Sequence, residues 1–320
     1  MYPGARLAPE LAENSPLHGR VIFILASPES GAELVKHALG TVPGVTALPV
    51  ATNLFSSGFD LMLDTWRASL YCDRVDGFID LVDEQEFLWN VRRLADGLFA
   101  PAAPGGMSEQ LIVEYSSAHI RFVRAIVTLY PDAHLLHVVR DGGEVAARLA
   151  SPHRDLYAGG QDGPAPEDQL WRLPRIAAQQ WVDDQNAIEE FADESNYFVA
   201  RIERILADPA AFFGWLAERV GLEADTDAIE AAADAIGAGR WRLTTPPAGR
   251  PQALVNTLGG ELLDRYDYEP TDVGEGRALL GRVELGYERF TDRGRQALLN
   301  LAARLSGLSA RWEADAKGPG

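Results

Sequence analysis

"FILASPESGAEL", Phe23 to Leu34, is the stretch on which the reading of this chain turns. Branched and aromatic residues from Val21 to Ala26 form a short apolar run closed by Pro28 and Gly31, and a helical pattern follows from about Ser30 to Leu39. A buried strand, a glycine turn and a helix start gather free backbone N–H groups at the positive end of a helix dipole. Such a turn can hold a phosphate without help from side chains. Yet Glu29 and Glu33 stand where an anion would lie. As first-turn acids they suit the dipole of an ordinary helix start. Beside a phosphate, each would cost about 4 kcal/mol at 4 Å and an effective dielectric near 20, or about 1 kcal/mol when fully wet. The lysine that follows the last glycine of a Walker A loop is missing, which counts against ATP or GTP hydrolysis.

The same alternation continues downstream. Leu111 to Ser117 reads as a second buried strand, followed by a helix from Ala118 to Leu129 with Ile120, Val123, Ile126 and Val127 at helical spacing. Leu135 to Val139 makes a third strand ending at Arg140-Asp141, with a helix beginning near Gly143. Leu173 to Phe191 is an amphipathic helix, "NYFVARI" a fourth strand, and the helix after it starts with Asp208 as N-cap and Pro209 at its first position. Between the first two strands lie a less regular stretch from Ala47 to Trp66, an acidic helical region from about Asp80 to Leu98, and a flexible connection from Ala100 to Gly106. Strands alternating with helices predict an α/β fold with a mostly parallel central sheet flanked by helices, its ligands outside the carboxyl ends of the strands. Residues 1–20 read as a loose, partly ordered leader, 21–270 as the α/β domain and 271–320 as a charged helical extension. The stretch from Tyr157 to Glu167, rich in Gly, Pro and Asp, reads as a mobile surface loop.

Composition narrows the function classes. A formal net charge of −18 disfavours nucleic acid and anionic membrane as partners, since both are bound by basic surface. No apolar run approaches the roughly 20 residues needed to cross a bilayer, and residues 1–20 lack the basic start and apolar core of a secretory signal. The one cysteine, Cys72, excludes an internal disulfide and a multi-cysteine metal site, and points by default to a cytoplasmic protein. His134 and His137 lie three apart on a strand and so face opposite sides, which argues against a metal pair. Trp171, Trp181, Trp215 and Trp241 read as core or interface aromatics.

Four segments in order resemble the bacterial branch of the sulfotransferases that use 3′-phosphoadenosine 5′-phosphosulfate (PAPS). "ASPESGAEL" is similar to the family's phosphosulfate loop, which runs Pro-Arg-Ser-Gly-Ser/Thr-Thr-Leu. "VEYSSAHIRFVRAIVTLYPDAHLLHVVRDGGEVAARL" looks like the segment carrying the 3′-phosphate site, "YFVARIERILADP" like the strand and helix start that follow, and "GRWR" with "LLDRYDYEP" like the closing element. The resemblance spans Val21 to Pro270. It implies a P-loop-like three-layer fold and a nucleotide, PAPS or its product PAP, held between 27–34 and 140–148. Ser27, Ser30, Gly31, Arg140 and Arg148 are then the expected cofactor-binding residues, and Arg240 and Arg242 weaker phosphate contacts.

The departures from the family pattern fall at the chemistry. Glu29 replaces a basic residue, Ala32 and Glu33 replace hydroxyl donors, Ala51 and Asn53 replace a Glu and a His, Tyr115 replaces a lysine, and Arg148 replaces a serine. Arg148 is the stronger phosphate partner. Sulfuryl transfer needs a base for the acceptor and positive charge for the moving group. Glu114 and His119 are the remaining residues for the base, with a polar contact at the helix start as the structural alternative for His119. Two functions follow as expectations: sulfuryl transfer from PAPS to a small-molecule or carrier-bound acceptor in bacterial secondary metabolism, or a non-catalytic subunit that binds and stabilises an active sulfotransferase or related biosynthetic enzyme. A homodimer fits either, and no metal is implied.

Overall fold

The computed structural model describes residues 5–69, 81–103, 106, 110–158, 173–239 and 249–270, with 151–158 as backbone only. Its centre is a parallel sheet of β1 (Val21–Leu25), β2 (Val45–Ala47), β3 (Leu111–Tyr115), β4 (His134–Val139) and β5 (Tyr197–Arg201), in the spatial order β2-β3-β1-β4-β5. β1 lies between β3 and β4, pairing Phe23 with Glu114 and Leu25 with His137. Successive residues of a strand point to opposite faces, so the continuous apolar run of β1 feeds both. Val21, Phe23 and Leu25 enter a core with Phe55, Phe99 and Tyr130, while Ile22 and Ile24 enter one with Val35, Phe213 and Ile236.

The helices complete the layers. They are α1 (Pro9–Ala12), α2 (Ala32–Leu39), α3 (Asp60–Ser69), α4 (Glu84–Phe99), α5 (Val123–Leu129), α6 (Gly142–Ala158), α7 (Leu173–Ile188), α8 (Ile202–Ala207), α9 (Pro209–Val220), α10 (Thr226–Gly239), α11 (Arg250–Leu258) and α12 (Gly260–Arg265). Asp208 caps α9 by accepting from the Ala211 N–H, with Pro209 at the first helical position. A third apolar cluster, centred on Trp181 of α7 with Val145, Leu254 and Leu263, closes the end of the sheet beyond Val139.

Several expectations change. β2 is a strand the sequence did not reveal, because three residues are too few to show a period. The helix expected over 118–129 is a 3-10 turn, His119–Arg121, followed by α5. Ala100–Ala102 is a 3-10 turn within the expected flexible connection. The supposed leader is no loose appendage over residues 5–20: Leu7, Ala12 and Leu17 are buried in the main core, and the Leu7 N–H donates to the Thr128 carbonyl at 2.9 Å. Its apolar residues are spaced too irregularly to announce this. The expected extension 271–320, most of the expected loop 157–167, and Cys72, Trp171, Arg240, Trp241 and Arg242 lie outside the described residues.

Candidate functional site

The strand-to-helix turn forms as its sequence demands. Gly31 at φ 88° is the N-cap of α2, a left-handed conformation natural to glycine. Glu29 adopts φ 67° as well, a region that side chains rarely enter. Ser27 and Ser30 are both buried, and the Ser30 N–H donates to the Ser27 carbonyl at 3.2 Å. The Ser30 hydroxyl has no hydrogen-bond partner among the described residues.

The two arginines expected to hold a 3′-phosphate do converge on this turn, but they are engaged by the chain's own acids. Arg148 Nε donates to Glu29 Oε2 at 2.7 Å. Arg140, only 2% exposed, donates through Nη1 to the Glu29 carbonyl at 3.1 Å and through Nη2 to Glu144 Oε2 at 2.6 Å. Glu29 thus supplies, from inside the loop, both a carboxylate and a carbonyl where an anionic ligand would supply oxygens. Glu33 pairs with the buried Lys36 at 2.9 Å. Tyr115 lies close to Glu33, Glu29, Asp184 and Glu114, and burial together with these acids raises its pKa.

Glu114 and His119 come together as a buried pair. Both are fully buried, with His119 Nδ1 2.8 Å from Glu114 Oε2. Glu114 Oε1 accepts from Ser116 Oγ at 2.6 Å and from Thr52 Oγ1 at 2.8 Å, and His119 Nε2 accepts from the Phe55 N–H at 3.4 Å. The Phe55 contact assigns the proton to Nδ1, so His119 donates to Glu114. Burial pushes the Glu114 pKa up, but the hydrogen bonds from His119, Ser116 and Thr52 outweigh it and hold the carboxyl below its ordinary range. The pair acts as a clamp on its surroundings. It fixes the segment after β2, where the Asn53 N–H donates to Ser116 Oγ at 3.0 Å and the π-turn Phe55–Phe59 begins.

Sequence reasoning missed a second set of polar groups under the loop. Gln185 Nε2 of α7 donates to Ser27 Oγ at 3.1 Å, and its amide oxygen faces His137 without closing a hydrogen bond. His137 Nδ1 and the Tyr197 hydroxyl share a hydrogen bond at 2.7 Å. Asp184, 1% exposed, pairs with Arg121, and burial raises its pKa. The signal was available: Asp184 and Gln185 fall on the apolar stripe of α7 with Ala177, Ala178, Trp181 and Ile188, and polar residues on a buried stripe require partners. Among the described residues no group of His, Cys, Asp and Glu could hold a metal ion, and no helix is long and apolar enough to cross a membrane.

A parallel sheet whose first strand runs through a glycine turn into a helix, with a second arginine-bearing loop beside it, defines a P-loop-like α/β protein. Residues 21–227 match the model of the sulfotransferase family, and the chain belongs to that family. The sulfotransferase domain from the curacin biosynthetic pathway is similar in fold, at 15% identity and TM-score 0.50, covering 78% of this chain and 98% of that domain. Sulfotransferase STF9 from Mycobacterium avium is 14% identical with TM-score 0.49, covering 82% of this chain and 80% of that one. The sulfotransferase domain of the Synechococcus PCC 7002 olefin synthase is 16% identical with TM-score 0.45, covering 83% and 94%. No match was found among curated proteins.

Proposed function

We propose that this protein is a non-catalytic member of the sulfotransferase family, a subunit that holds an active sulfotransferase or a related biosynthetic enzyme rather than transferring a sulfuryl group itself. The observation that carries this reading is the Glu29–Arg148 pair at 2.7 Å, with Arg140 bound to the Glu29 carbonyl. The residues present do not fit a phosphosulfate. Seating one would break that pair and leave a carboxylate beside the new anion, at about 1 to 4 kcal/mol for each such contact according to how wet it is. The Glu114–His119 clamp supports the same reading, since both side chains are fully buried and hydrogen-bonded within the fold.

A second reading, sulfuryl transfer from PAPS to a small-molecule or carrier-bound acceptor, draws on the Ser30 hydroxyl just before α2, buried without a hydrogen-bond partner among the described residues. Calorimetric titration with PAP separates the two. The parent chain is expected to give no binding heat even at millimolar nucleotide. Glu29→Gly removes the internal counter-ion, suits the positive φ and leaves Arg140 its backbone acceptor, so it is expected to bind at least about tenfold more tightly, the factor that 1.4 kcal/mol of relieved repulsion gives. Micromolar binding by the parent would overturn the non-catalytic reading and favour the enzyme.

A further inference from the structure

The buried polar groups beneath the turn fall into one line. His137 sits opposite Leu25 in the pairing of β4 with β1, and α7 lays Asp184 and Gln185 over that face, where both meet Ser27 at the opening of the turn. All four side chains are buried. Tyr197 stands at one end of the line, on His137, and Arg121 at the other, on Asp184. Polar groups taken out of water need partners, and here the partners at hand are one another.

Donor and acceptor chemistry gives the line a direction. Asp184 pairs with Arg121, which favours its ionised form, and an ionised carboxylate only accepts. Ser27 has one hydroxyl proton, and Gln185 Nε2 already donates to its oxygen at 3.1 Å, so that proton is free for Asp184. With its NH2 group on Ser27, Gln185 presents its amide oxygen to His137. An amide oxygen cannot donate, so the imidazole must bring the proton, on Nε2. Burial keeps His137 neutral, with its pKa pushed down to about 4, and a neutral imidazole carries one N–H. Nδ1 is then an acceptor, and the Tyr197 hydroxyl 2.7 Å away is its donor. The atoms of the line without a hydrogen-bond partner among the described residues are His137 Nε2, Gln185 Oε1 and Asp184 Oδ2, the ones this direction would use. The opposite direction would turn the Ser27 proton toward Gln185 and deprive a buried carboxylate of that donor.

We infer that Tyr197, His137, Gln185, Ser27 and Asp184 form one directed hydrogen-bond relay, in which the carboxylate on α7 sets the tautomer of the histidine on β4 and Gln185 positions the residue that opens the glycine turn. It rests on these side chains alone and stands whether or not nucleotide binds. NMR of the full chain with nitrogen-labelled histidine, near neutral pH, tests it. In the parent, His137 is expected to carry its proton on Nε2, with Nδ1 unprotonated. Ser27→Ala cuts the line between carboxylate and amide, and is expected to give a mixture of the two tautomers. Gln185→Leu removes the hold on Ser27, so the Ser30 amide, which donates to the Ser27 carbonyl at 3.2 Å, should exchange at least about tenfold faster while β1 and β4 keep their protection. A proton on Nδ1 in the parent would overturn the relay, as would an unchanged tautomer in Ser27→Ala or a Ser30 amide unmoved by Gln185→Leu. The parent measurement needs no substitution, so it decides even where a variant fails to fold.

Discussion

At the scale of single residues, the electrostatics of this protein are set by where its acids stand. Glu29 occupies a backbone position with positive φ and turns its carboxylate onto Arg148, so the charge expected for a ligand is consumed within the fold. His137 shows the opposite treatment of a titratable group. Fully buried between Tyr197 and Gln185, it is held neutral, with burial pushing its pKa down to about 4 from 6.5. The unfolded chain takes up a proton below pH 6.5 that the native chain refuses until about pH 4, so stability falls as pH drops through that window. The loss should reach about 3 kcal/mol, the free-energy equivalent of a pKa moved from 6.5 to about 4. Urea denaturation of the parent and His137→Gln at several pH values checks this. His134, also lowered by burial, contributes to the same slope in both proteins, so the difference between them isolates His137. Equal slopes would mean that His137 titrates alike in the native and unfolded chains.

At the scale of elements, close approach rather than propensity decides the second loop. α6 begins at Gly142, and a Cβ there would lie 2.7 Å from the indole of Trp181, a buried ring held within the apolar cluster at the end of the sheet. Gly142→Ala is therefore expected to force α6 and α7 apart and to cost about 1 to 3 kcal/mol, measured by chemical denaturation. At Gly143 the added Cβ would meet the end of Gln252, a buried side chain that donates to Asn256, so the same substitution there should also cost stability. A glycine pair that reads in the sequence as a turn signal is, at its first member, a packing requirement.

At the scale of the whole molecule, one buried arginine joins the N-terminal segment to the core. Arg92 of α4 donates to Asp96 at 3.0 Å, to Asp132 at 2.9 Å and to Ser15 at 3.0 Å, and stacks 3.6 Å above the Tyr130 ring. Arg92→Met leaves two carboxylates without their buried cation. It should lower stability by about 3 to 5 kcal/mol and open residues 5–20 to protease, read by denaturation and by sequencing of the cleaved ends. Normal stability with an intact N-terminus would show that Leu7 and Leu17 hold the segment alone. The sequence by itself determined the parallel α/β fold, the turn at Gly31 and the cap at Asp208, because apolar periodicity and turn chemistry act within a few residues and are written locally. Only the tertiary structure decided that Arg148 serves Glu29, that Glu114 and His119 close on each other, and that residues 5–20 belong to the core. Arg148 and Glu29, or Leu7 and Thr128, are far apart in the chain, and even for Glu114 and His119, five residues apart, which group pairs with which is fixed by distance and burial, neither of which a linear pattern carries.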